Sequence, residues 1–115
     1  MPEFIVHTNI SKDRVPESFL GDLTQQLSKA MGISAQHLEI QISPDQLLSF
    51  GGSAAPCPIC FLYSIGKLGE QENKVDSKLL CDLLNKQVEI LPDRIYVSFF
   101  DINAGNVGWN NTTLA

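Results

Sequence analysis

The stretch PESFLGDLTQQLSKAMGISAQHLEIQI, Pro16 to Ile42, contains one complete change of hydrophobic period. In its first half Phe19, Leu20, Leu23, Leu27, Ala30 and Met31 recur at the spacing that gathers apolar side chains on one face of a helix. Pro16 suits the first turn, where a missing N–H costs nothing, and Gly32 suits the C-terminal cap, where a left-handed backbone favours a residue without Cβ. In its second half Leu38-Glu39-Ile40-Gln41-Ile42 alternates apolar with polar, the period of a strand with one buried face. Ser43-Pro44-Asp45 then turns the chain.

Upstream, Phe4-Ile5-Val6 follows Pro2 directly, and a proline is tolerated at the first residue of a strand. Downstream, Gln46 to Phe50 reads as a brief extended piece before Gly51-Gly52-Ser53, and Cys60 to Ile65 as another strand. A second helix places Val75, Leu79, Leu80, Leu83 and Leu84 on one face and ends at Leu91-Pro92-Asp93. Ile95 to Phe100 reads as a strand, and Val107 to Trp109 as a short one. The helix positions Phe19 and Val75, Leu23 and Leu79, and Leu27 and Leu83 are each 56 apart. This order predicts one α/β domain over residues 1–115: two pseudo-symmetric βαβ halves, a four-stranded mixed sheet with both helices on one face, and short edge strands. The other face of such a sheet is left bare and apolar, which predicts a homo-oligomer.

The chain has 115 residues, 43% hydrophobic, too few for two independent domains. Thirteen acidic residues against eight basic ones give a charge of −5, and no Lys/Arg cluster is dense enough to track phosphates, so no nucleic-acid partner is expected. The N-terminus has no basic region followed by an apolar one, and no stretch approaches the length of a membrane span. Neither a signal peptide nor membrane insertion is expected. Three cysteines, an odd number, suggest free thiols made in a reducing compartment. Cys57-Pro58-Ile59-Cys60 has the two-residue spacing of redox motifs, and also that of small buried residues at the start of a strand. Cys81 and two distant histidines add no second ligand pair, so no metal is expected.

Several blocks resemble the macrophage migration inhibitory factor family and its tautomerase relatives, and together they span the chain. They are Pro2 with Phe4-Ile5-Val6, Leu23 to Leu27, Pro44-Asp45-Gln46-Leu47, Phe50-Gly51-Gly52-Ser53 and Pro56-Cys57 with Cys60. Ser64-Ile65-Gly66-Lys67, Ser77 to Cys81, Pro92-Asp93-Arg94 with Tyr96, and Asn106-Val107-Gly108-Trp109-Asn110-Asn111 follow in the same order. The cysteine pair and the Trp109 tail favour the cytokine branch over its dopachrome tautomerase sister. The resemblance implies a homotrimer with each pocket between neighbouring subunits and no cofactor. It implies a protein both cytoplasmic and secreted by a non-classical route, signalling through the class II invariant chain and chemokine receptors. It also places Lys12 and Asp45 where the family meets those receptors.

The resemblance further implies keto–enol tautomerisation of an aromatic 2-oxo acid such as phenylpyruvate, or of a dopachrome-like compound, with Pro2 as the base. Removing Met1 would expose a secondary amine, and an α-amino group titrates at about 7.7 to 8.0. An apolar pocket disfavours its charged form, and a neutral amine near physiological pH is a suitable general base. Tyr96, Val107 and Trp109 match residues lining the ring pocket, and the backbone of Ile65 matches a carboxylate contact. Three positions depart from the pattern: Ile33 stands where the family carries a lysine facing the substrate carboxylate, Ser98 replaces an asparagine, and His37 replaces an aromatic at the rim. Enzyme, extracellular signalling ligand and thiol oxidoreductase remain open together.

A charged hydrogen bond contributes about 1.5 to 3 kcal/mol, so Ile33→Lys is expected to raise phenylpyruvate turnover by about tenfold to a hundredfold, with uncharged esters less affected. An unchanged rate on phenylpyruvate would contradict the role given to position 33.

Overall fold

In the computed structural model, which describes residues 1–115, the chain runs through β1 (Pro2–Thr8), α1 (Phe19–Met31), β2 (Glu39–Ser43), β3 (Pro58–Ser64), α2 (Glu70–Val88) and β4 (Tyr96–Asp101). The four strands form one mixed sheet in the order β2-β1-β3-β4. β1 is parallel to β2 and antiparallel to β3, and β3 is parallel to β4. The tail adds a small hairpin of β5 (Gly108–Trp109) and β6 (Thr112–Thr113). Alternation along β1 sends Pro2, Phe4, Val6 and Thr8 inward and Glu3, Ile5 and His7 outward. Phe4, Val6, Cys60 and Leu62 from the sheet join Phe19, Leu23 and Leu27 from α1 and Leu80, Leu84 and Val88 from α2 in a single buried cluster. Each such aliphatic or aromatic side chain stabilises the fold by about 1.5 to 3 kcal/mol, which makes this cluster the main source of stability.

The two halves are related by 57 residues, not 56. The buried positions Leu23, Leu27 and Met31 of α1 correspond to Leu80, Leu84 and Val88 of α2. The same shift carries the cap Gly32 to Glu89, the 3₁₀ turn Ala35–His37 to Pro92–Arg94, and Glu39, which opens β2, to Tyr96, which opens β4. It even reproduces a capping contact: Ser28 Oγ donates to the Ile33 carbonyl at 2.5 Å, and Asn85 Nδ2 to the Ile90 carbonyl at 3.1 Å. Both caps are left-handed, Gly32 at φ 66° and Glu89 at φ 59°, so only the first half has the glycine that makes this conformation free of Cβ strain.

The frame taken from Val75, Leu79 and Leu83 is therefore one residue out. Val75 is 60% exposed, while Leu79, Leu83 and Cys81 pack only partly against the cluster. Other boundaries also shift. α1 starts at Phe19 rather than at Pro16, whose carbonyl accepts the Phe19 N–H at 3.0 Å; β3 starts at Pro58; and β4 covers Tyr96–Asp101. Between Gln46 and Phe50 no strand forms, and only a lone Phe50–Ser53 bridge remains.

The counterpart of Phe19 in the second half is Asp76, 2% exposed on the buried stripe of α2. Burial pushes its carboxyl above the ordinary aspartate value of 3.8, with the Glu72 charge adding to the effect. The cost to the fold is absent below that ordinary value, where the carboxyl is protonated in both states, and it grows as pH rises through the folded value. Asp76→Asn is expected to stabilise the protein at pH 7 by about 1 to 3 kcal/mol, read as a higher melting temperature, and the gain should shrink towards pH 4. An equal gain at both pH values would contradict the charge as the cause.

Candidate active site

β1 ends the sheet-spanning part of the chain at its own first residue, and this places Pro2 on a cavity wall. Pro2 is fully buried and lies opposite Ser64 in the antiparallel register. The cavity, about 770 Å³, is bounded by Met1, Pro2 and Glu3, by residues 36–39, by Ile65, and by tail residues including Val107, Trp109 and Leu114. The end of β3 is fixed from two sides, because the Ile102 N–H donates to the Ser64 carbonyl at 2.8 Å and the Gly66 N–H donates to Asp101 Oδ1 at 2.9 Å. Ile65 is thereby held against the start of β1, and its own N–H donates to the Met1 carbonyl at 3.3 Å. The wall mixes apolar carbon with a few polar groups, the usual make-up of a small-molecule site.

Of the residues singled out in the sequence, Pro2, Ile65, Val107 and Trp109 meet in this cavity, and His37 lies on its rim. Tyr96 and Ser98 do not. They line a second cavity, of about 500 Å³, with Leu48, Phe50, Cys57 and Cys60. Ile33 lines neither and packs against the core. The sequence reading missed Glu3 and Glu39, which stand on the Pro2 cavity. Both were visible as the polar partners in an apolar/polar alternation, but nothing in the sequence marked them as neighbours.

The second cavity owes its shape to a clamped loop. Arg94 donates from Nε to the Pro56 carbonyl at 3.0 Å and from Nη2 to the Ser53 and Ala55 carbonyls at 3.0 and 2.9 Å, and its guanidinium lies 5.5 Å from the centre of the Phe50 ring. From the other side Asn9 Nδ2 donates to the Ala54 carbonyl at 2.9 Å, and its Oδ1 accepts the Cys57 N–H at 2.9 Å. Tyr96, 74% exposed, leans on Phe50 at 5.0 Å between ring centres.

Cys57 and Cys60 are both buried free thiols. Burial, with a smaller contribution from Cys81, pushes the Cys60 thiol up to about 12, the opposite of what a redox nucleophile needs. No group of three or more His, Cys, Asp or Glu side chains is arranged to hold a metal. At the far end of β1 the Lys12 N–H donates to Asp45 Oδ2 at 3.4 Å, so the two residues tied by resemblance to receptor contact are neighbours on an exposed turn.

A mixed sheet built from two βαβ halves, with a proline opening the first strand on a cavity wall, is the fold seen in solved macrophage migration inhibitory factor structures. The sequence model of the family described as Macrophage migration inhibitory factor (MIF) matches residues 1–115. The chain is 52% identical to macrophage migration inhibitory factor of Meriones unguiculatus and 51% identical to that of Xenopus laevis, over the full length of both chains in each case. The structure of macrophage migration inhibitory factor from Trichinella spiralis superposes with a TM-score of 0.94 at 35% identity, covering 96% of this chain and 98% of that one. The chain belongs to the macrophage migration inhibitory factor family. No helix is long and apolar enough to cross a membrane.

With its thiol buried and pushed up to about 12, Cys60 should react with a thiol reagent near neutral pH far more slowly in the folded protein than in the unfolded chain. Time-resolved labelling read by peptide mass checks this, and rapid native labelling at Cys60 would reopen a redox role.

Proposed function

We propose that this member of a cytokine family also catalyses keto–enol tautomerisation, with the imino nitrogen of Pro2, freed by removal of Met1, as the general base. The observation that carries the reading is the Ile65 N–H, which the Met1 carbonyl satisfies at 3.3 Å on the cavity wall. Once Met1 is gone, that donor and the proline nitrogen are left unpartnered side by side. An unsatisfied amide on an apolar wall is costly, so a substrate oxygen seated there is favoured.

The chemistry then needs only one base. The neutral nitrogen takes a proton from the carbon beside the substrate carbonyl, and the electrons of that C–H bond become the enolate. The resulting secondary ammonium returns that proton to the enolate oxygen, giving the enol and regenerating the neutral amine. Val107 and Trp109 offer the ring a surface, Trp109 being 62% exposed within one chain. The substrate classes implied are an aromatic 2-oxo acid or a dopachrome-like compound.

A homotrimer supplies what one chain lacks. The helix-free face of the sheet bears Phe61, Tyr63 and Phe100, with the Tyr63 and Phe100 rings stacked 4.8 Å apart, and Phe100 is 41% exposed. Packing such faces together buries apolar area that a monomer leaves in water. It would also allow a neighbour's Tyr96 and Ser98 to complete a Pro2 cavity that they do not reach within their own chain. We further infer a protein both cytoplasmic and released by a non-classical route, with the class II invariant chain and chemokine receptors as partners and the Lys12–Asp45 turn as a receptor contact. Loss of the family lysine at Ile33 favours one second reading, a signalling ligand without significant turnover. The buried, high-pKa Cys60 weighs against the thiol oxidoreductase reading.

Pro2→Gly should lower tautomerase turnover by about 10² to 10⁴-fold while leaving the trimer intact and receptor binding largely unchanged. Steady-state kinetics with sedimentation of the same sample checks it, and unchanged turnover with the trimer intact would remove Pro2 from the mechanism.

A further inference from the structure

The Pro2 cavity holds two carboxyl groups for which proton transfer at the proline has no use. Glu3 follows Pro2 on β1, Glu39 opens β2, and the parallel register pairs them directly. Both line the cavity. Burial, then the hydrogen bond to Glu39 and its charge, holds the Glu3 carboxyl above the usual range. Two carboxyl groups at directly opposed positions give this part of the wall an acidic character. Like-charged partners facing each other on adjacent strands destabilise a sheet, so holding β1 to β2 is not what the pair does.

The lining contains no lysine or arginine, its other ionisable groups are His37 and the chain's own terminal amine, and Ile33 contributes no cation. We propose that Glu3 and Glu39 set the specificity of the Pro2 cavity, so that it accepts a neutral or cationic aromatic carbonyl compound in preference to a free 2-oxo acid. The proposal rests on reading that cavity as the tautomerase site, and it narrows the substrate class. A substrate carboxylate would bring a second anion into a partly desolvated space. An ammonium or other donor on the substrate would instead replace the water that the two carboxyls lose.

The test uses the N-terminally processed protein and three probes of one size: 2-phenylethylammonium, phenylacetate and 2-phenylethanol. Quenching of Trp109, the chain's one tryptophan, reports binding. The cation is expected to bind about tenfold more tightly than the anion, and the Glu3→Gln/Glu39→Gln variant to erase that difference while still binding the alcohol. If the alcohol binds but cation and anion bind equally to the unsubstituted protein, or the variant keeps their ratio, the specificity assignment is wrong and the tautomerase reading stands. If none of the three binds, the reading of the cavity as a ligand site fails, and the assignment with it.

Discussion

The two-sided pairing of β1 is the constraint from which the rest of the structure follows. One strand satisfies its backbone against β2 in parallel and against β3 in antiparallel register, while its alternate side chains anchor the core through Phe4 and Val6. Because the strand begins at Pro2, the chain terminus is held with the rigidity of a central strand, although chain ends are otherwise the most mobile part of a domain. A base at a frayed terminus would have no fixed position relative to a substrate, and one that starts a central strand does. The antiparallel side brings Ile65 to the cavity, and the parallel side brings Glu39.

Repetition explains the architecture, and departures from it explain where function enters. A shift of 57 residues carries cap to cap and strand to strand, yet the halves are not equivalent at two places that matter. Asp76 stands where Phe19 fills the core, a local loss of stability inside α2. Glu39 corresponds to Tyr96, so related positions at the openings of β2 and β4 present a carboxyl to one cavity and an aromatic ring to another.

Most of the fold was legible because hydrophobic period survives without tertiary information. Pro16 to Ile42 announced a helix and a strand, and Gly32 marked the cap that the structure places in the left-handed region. The second helix was legible only in part: Leu80 and Leu84 are buried as the sequence suggests, but Val75, Leu79 and Leu83 form a neighbouring apolar stripe, and a charged residue at Asp76 interrupts the buried one. Only packing on the sheet decides between stripes one residue apart. The site was readable through its wall residues Pro2, Ile65, Val107 and Trp109. The Glu3–Glu39 pair was hidden because a parallel register is set by the crossover helix and not by any local pattern. The split between the Pro2 cavity and the Tyr96–Ser98 cavity was hidden for a similar reason, since it depends on which side of the sheet each strand end faces.

In the proposed mechanism the amide of Ile65, occupied by the Met1 carbonyl at 3.3 Å in the unprocessed chain, donates to a ligand oxygen beside the proline nitrogen once Met1 is removed. Amide-resolved NMR of the processed protein, with a neutral aromatic ketone added stepwise, follows that single N–H. A saturable shift of the Ile65 resonance is expected, and none when Met1 is retained. An Ile65 amide that ignores the ketone in the processed protein, while other cavity residues respond, would contradict it.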